Sequence, residues 1–141
     1  MEKEISPKMS EIERKLLDAL LEGDDPILDS LRAQLAESKI ESRELSGSGF
    51  FLNFEIPDSV PKINPERIIV GDVYFDLEGV QHDGGAIIFR ENGYLSMLEA
   101  YLNGDEEWPD QPRLSRVFYD SNPRDWATSI MRGQKRWQPS S

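Results

Sequence analysis

The dipeptide Asn92-Gly93 lies between two apolar, β-prone runs in the stretch Gly84-Gly85-Ala86-Ile87-Ile88-Phe89-Arg90-Glu91-Asn92-Gly93-Tyr94-Leu95-Ser96-Met97-Leu98-Glu99-Ala100-Tyr101. A type I′ turn needs φ > 0 at both central residues, which Asn and Gly tolerate with least strain. The pattern therefore predicts a tight β-hairpin. Two strands alone are not stable in water, so the hairpin should be the centre of a larger antiparallel sheet. The chain leaves it through an acidic, aromatic loop, Gly104-Asp105-Glu106-Glu107-Trp108-Pro109-Asp110.

Upstream, Ser10 and Glu13 form a capping-box pattern ahead of Ile12, Leu16, Ala19 and Leu20, which recur on one helical face. Gly23 suits the helix stop. Asp25-Pro26 opens a second helix with Ile27, Leu28, Leu31, Leu35 and Ala36 as its stripe. Lys39–Leu45 alternates poorly and carries charge, as an edge strand does. Phe50, Leu52, Phe54 and Ile56 alternate with Asn53 and Glu55, which predicts a strand with one buried face. Three prolines within 57–65 exclude a helix or central strand there. Arg67–Leu77 reads as a strand with Ile69, Val73, Phe75 and Leu77 on a common face. Leu114–Tyr119 reads as a last strand, and Trp126–Arg132 as a short helix.

The order α-α followed by six strands predicts an α+β fold. An N-terminal helical hairpin packs on a twisted antiparallel β-meander of about five to six strands. At 141 residues the chain reads as a single domain, 1–141, with loose termini at 1–9 and 133–141.

Composition narrows function by exclusion. The chain has no cysteine, which removes thiolate catalysis, disulfides and Cys-ligated zinc. No apolar run reaches the roughly 18 residues of a membrane span. The charged start Met1-Glu2-Lys3-Glu4 has no apolar segment after it, so a cytoplasmic location is expected. Net charge is −11 and unevenly spread. Residues 47–112 hold 3 basic and 13 acidic groups, net −10, whereas 113–141 hold 6 and 2, net +4. So acidic a middle segment repels phosphate and attracts a basic protein. No nucleic acid and no membrane is expected as partner. The basic, aromatic tail (Arg124, Arg132, Lys135 and Arg136 with Trp126 and Trp137) reads as neutralisation in cis. The oligomeric state is left open.

No catalytic residue, metal or cofactor is singled out. His82 is the lone histidine, and the Asp83-Gly84-Gly85 beside it is explained by a turn. Gly47-Ser48-Gly49 lacks the lysine and following helix of a phosphate loop. Trp108 is different, because tryptophan with steering charges is the composition of an interface anchor. The candidate partner-binding set is Trp108 with Asp105, Glu106, Glu107 and Asp110, joined by Glu99 and Tyr101. Those last two are placed on the exposed face of their strand, opposite Leu98 and Leu102. For Trp108 the alternative is a lid over one end of the sheet. Should Glu99 instead be buried, Arg90 or Arg116 would be the partner it needs.

The stretches Ser48-Gly49-Phe50-Phe51-Leu52-Asn53-Phe54, Leu95-Ser96-Met97-Leu98-Glu99-Ala100-Tyr101 and Glu106-Glu107-Trp108-Pro109 resemble a group of small uncharacterised bacterial proteins. The resemblance covers about 33–120 and implies no activity. In size and acidity the chain also resembles immunity proteins that neutralise bacterial toxins, an analogy no motif carries. The expectation is a non-enzymatic, acidic protein-binding module, with an immunity-type inhibitor as its specific form. The alternative is a small-molecule binder or enzyme with a pocket between helices and sheet, using His82 with Asp83 or Glu99 with Tyr101.

Overall fold

A computed structural model describes residues 8–125 and 130–132. Helices α1 (Glu11–Leu20) and α2 (Pro26–Glu37) precede strands β1 (Lys39–Leu45), β2 (Gly49–Glu55), β3 (Ile68–Leu77), β4 (Gly84–Glu91), β5 (Tyr94–Leu102), β6 (Leu114–Tyr119) and β7 (Ile130–Arg132). All pairings are antiparallel, in the order β1-β2-β5-β4-β3-β6, with β7 also on β3. The arrangement is the expected α+β fold with a meander-like strand order. The proline-rich segment after β2 carries the chain past β5 and β4 to β3. Among the described residues no helix is long and apolar enough to cross a membrane.

The helices form where local chemistry favours them. In α1 the Ser10 hydroxyl accepts from the Glu13 amide at 3.2 Å, and Glu13 accepts from the Ser10 amide at 2.9 Å. Asp25 caps α2 by accepting from the Ile27 amide at 2.8 Å, with Pro26 in the first turn. The last turn of α1 holds no basic residue, yet its end is the negative pole of the helix. Arginines from elsewhere meet it. Arg124 donates to the Leu20 and Glu22 carbonyls at 2.9 and 2.8 Å, and Arg32 donates to those of Leu21 and Gly23. Arg124 is held by a two-bond pair with Asp72 at 2.6 and 2.7 Å.

The core lies between the helices and one face of the sheet. Leu16, Leu17, Leu20, Leu28 and Leu31 pack on Phe50, Leu52, Val73, Phe75, Ile88 and Leu98. On the outer face Ile69, Ile87 and Phe89 are buried, with Met97 and Tyr101 packed against them.

Two bulges change which residues share a face. The β3–β4 register slips between Val70 and Val73, setting Gly71 and Asp72 opposite Ile87 alone. Ile69 therefore faces outward, whereas Val73, Phe75 and Leu77 face the helices, against the expectation of one common face. The β4–β5 register slips beside Ser96, so Leu95 faces inward with Leu98 and does not share the face of Glu99.

Lys8 and Met9, at the start of the described residues, contact the rest of the fold. The Lys8 carbonyl accepts from Arg43 at 2.6 Å, and Met9 packs on the core. Ile130–Arg132 is a strand on β3 rather than the end of a helix, because its backbone pairs with Ile68–Val70. The remainder of that expected helix, 126–129, and both 1–7 and 133–141 lie outside the described residues.

The turn at Asn92-Gly93 has φ of 53° and 85°, as a type I′ turn requires. It is clamped from three sides. The Gly93 amide donates to the Glu66 carbonyl at 2.9 Å, and the Gly93 carbonyl accepts from the Ile63 amide at 3.0 Å. Gln34, 0% exposed, donates to the Gly93 carbonyl at 2.9 Å and accepts from the Leu95 amide at 2.8 Å. Arg90, also 0% exposed, donates to the Pro65 carbonyl at 2.7 and 3.1 Å and to the Ser30 hydroxyl at 2.9 Å. Burial lowers its basicity below the usual arginine value.

Candidate functional site: the groove beside Trp108

The loop after β5 is fixed at its backbone and leaves several of its acidic side chains exposed. Leu102 donates to the Ser48 carbonyl at 2.8 Å, Asn103 to that of Asp83 at 2.9 Å, and Trp108 to that of Gly47 at 2.8 Å. The bonds to Ser48 and Gly47 lay the loop over the β1–β2 turn, and the bond to Asp83 ties it to the β3–β4 turn. The Trp108 ring meets Phe50 and Phe75 edge-on, with centroids 5.3 and 6.0 Å away. Both partners belong to the core, so Trp108 lids this end of the sheet while staying partly exposed. Glu106 accepts from the Gln81 amide at 2.7 Å, which fastens the loop to the β3–β4 turn. Asp105, Glu107 and Asp110 are exposed.

Beside Trp108 lies a groove of about 570 Å³ between the loop, the first turn of α1 and the β1–β2 turn. Its apolar lining includes Ile12, Leu45, Trp108, Pro109, Pro112 and Leu114. Leu45 is 51% exposed, the one large hydrophobic residue so exposed among those described. Glu13 and Arg43 also line the groove, joined by two bonds of 2.7 and 2.9 Å. With side chains only 5% and 13% exposed, this pair is built into the wall rather than offered to a ligand. Asp110 and Glu11 put carboxylates on the rim, and Lys15 and Arg113 put cations there.

Glu99 and Tyr101 lie elsewhere. Both face outward on β5, on the side of the sheet away from the helices and away from the Phe50 and Phe75 rings that hold Trp108. The candidate set therefore divides between two surfaces. Glu99 sits between Phe51 of β2 and Ile87 of β4, and this burial raises its pKa. Neither Arg90 nor Arg116 serves it. Arg90 faces inward, and Arg116 pairs with Asp76 at 2.9 Å. Tyr101 is pushed up to about 12, by burial first and then by Tyr74, Glu99 and Asp83.

His82 is exposed at the turn beside Gly104, and Asp83 accepts from the Asn103 side chain at 3.0 Å. Neither residue lines the groove. Sequence reasoning missed Leu45, Ile12 and the Glu13–Arg43 pair as parts of this surface. Leu45 had a local signal, an apolar residue just before a glycine turn. Glu13 and Arg43 had none, being 30 positions apart. No family model, no curated protein and no solved structure matches the chain.

Proposed function

We propose that this protein is a non-enzymatic binding module that takes a basic protein partner in the groove beside Trp108, in the specific form of an immunity-type inhibitor of a bacterial toxin. One observation carries the reading: Leu45, the exposed apolar side chain, lines the same groove as Trp108 and Asp110. An apolar floor under a charged rim is how interfaces divide affinity from steering. Asp105, Glu107 and Asp110 supply the steering, within a segment of net −10.

The test is a titration with the peptide Leu-Lys-Leu-Lys-Leu-Lys, followed by amide chemical shifts. Shifts are expected at Leu45, Trp108 and Asp110. Asp105→Lys with Glu107→Lys and Asp110→Lys should weaken binding about tenfold or more and flatten its salt dependence, given about 0.5–1 kcal/mol per steering charge. Equal affinity in that variant overturns the assignment. In the genome, an adjacent gene for a basic toxin whose product shifts the same amides would support the immunity form. A neighbouring toxin that leaves them unmoved would remove it.

A further inference from the structure

The outer face of the sheet carries an aromatic row at a single register. Tyr101 of β5 pairs with Gly85 of β4, Gly85 with Tyr74 of β3, and Tyr74 with Phe118 of β6. Gly85 is needed there, because a Cβ would stand 2.4 Å from the Tyr101 hydroxyl oxygen. The tyrosine ring thus lies flat across the neighbouring strand. Tyr74 and Phe118 stack, with centroids 6.1 Å apart and planes at 28°. All three rings are partly exposed.

The row already accommodates a guanidinium. Arg116 sits 4.1 Å from the Phe118 centroid while its Nε donates to Asp76 at 2.9 Å. Ring face and carboxylate together are the surroundings that favour arginine over lysine, since the guanidinium is planar and weakly hydrated. More carboxylate surrounds the row. The Tyr74 pKa is raised by burial and then by Asp120, Asp83 and Asp72. Among the described residues neither the Tyr74 nor the Tyr101 hydroxyl has a hydrogen-bond partner.

We propose that this row is a second contact surface, which binds arginine side chains of a basic protein by stacking the guanidinium on Tyr74 and Phe118 beside the Asp76 carboxylate. The proposal rests on the reading that the partner is basic, and it uses the face of the sheet opposite the Trp108 groove. The two surfaces would let one basic partner engage an apolar anchor and an arginine separately.

The test titrates the full chain with hexa-arginine and with hexa-lysine at one ionic strength, followed by amide shifts. Hexa-arginine should shift Tyr74, Gly85, Tyr101 and Phe118 and bind about 2- to 5-fold tighter than hexa-lysine, the range for one exposed cation–π contact. Tyr74→Leu with Phe118→Leu should erase that preference while leaving the Leu-Lys peptide's affinity for the groove unchanged. Arg116→Ala, a surface change that does not threaten folding, should strengthen hexa-arginine binding by freeing the Phe118 ring. Equal affinity for the two peptides, or weaker hexa-arginine binding in Arg116→Ala, overturns the proposal. Shifts confined to 105–114 also overturn it and leave the groove reading standing. Shifts along the row with none from the Leu-Lys peptide at the groove would retain it and remove the groove.

Discussion

The β4–β5 hairpin has two ends, and they are built differently. At the Asn92-Gly93 end, backbone polar groups of the turn are met by the fold. Gln34 serves Gly93 and Leu95, Ile63 and Glu66 serve Gly93, and Arg90 holds the proline-rich segment through Pro65. At the other end the backbone is tied through Leu102, Asn103 and Trp108, and the side chains of Asn103, Glu106 and Trp108 fasten the loop to Asp83, Gln81 and the core rings. There the exposed side chains include Asp105, Glu107, Asp110 and, across the groove, Leu45. The first end consumes its polar capacity in folding. The second keeps charge and apolar area available to a partner. A buried polar network is expensive to break, whereas an exposed charge is cheap to change. The two ends should respond oppositely to mutation.

The largest effect is expected from Arg90→Ala. It removes a buried guanidinium, strips the Pro65 carbonyl of its arginine donors and leaves the Ser30 hydroxyl with only its bond to the Ile27 carbonyl, so urea unfolding should show a loss of about 3–5 kcal/mol. A loss under about 1 kcal/mol would mean that the clamp is not structural. Gln34→Ala comes next, at about 2–4 kcal/mol, because it orphans the Leu95 amide and one acceptor bond of Gly93. At the open end, Trp108→Ala should cost about 1–3 kcal/mol, less than a fully buried aromatic, by removing the contacts to Phe50 and Phe75. It should also weaken binding at the groove. A stability cost above that of Gln34→Ala would erase the distinction between the ends.

The smallest effect concerns the outer face and has a definite sign. Burial raises the Glu99 pKa, so the fold favours its protonated form. The unfolded carboxyl releases its proton at lower pH. Stability from this residue is therefore full below the ordinary carboxylate range, falls as pH rises through the folded value, and is flat above it. Glu99→Gln should remove that fall and stabilise the protein at neutral pH by about 0.5 kcal/mol or less, measured as melting temperature against pH. An unchanged pH profile would show Glu99 to be solvated. Tyr101 offers a spectroscopic companion: ultraviolet titration should show one tyrosine ionising near 12 that disappears in Tyr101→Phe.

What could be read from the residues follows the range of the interactions involved. The Asn92-Gly93 turn, the Ser10–Glu13 capping box and the Asp25-Pro26 start are local, and each forms as its residues dictate. The charged edge strand β1 was legible for the same reason. The faces of β3 and β5 were not. A bulge at Gly71-Asp72 or at Ser96 reverses every side chain beyond it, and alternation alone does not mark where the extra residue falls. Arg90 was read only as a partner for a buried Glu99, because the Ser30 and Pro65 groups that accept from it are 60 and 25 positions away. Gln34 was hidden in the same way, 59 and 61 positions from its partners. For the site, residue type located the Trp108 loop. The fold places Trp108 as the lid that the residues offered as its alternative, and only the fold showed that Glu99 and Tyr101 belong to another surface.

Amide hydrogen exchange with and without the Leu-Lys peptide tests the division between the two ends in one measurement. Gly93 and Leu95 should exchange only through global unfolding and should not respond to the peptide. The Trp108 amide and its neighbours in 105–114 should exchange faster, through local opening, and slow when peptide is present. Exchange at Leu95 as fast as at Trp108, or peptide protection at 93–95 with none across 105–114, would contradict the account.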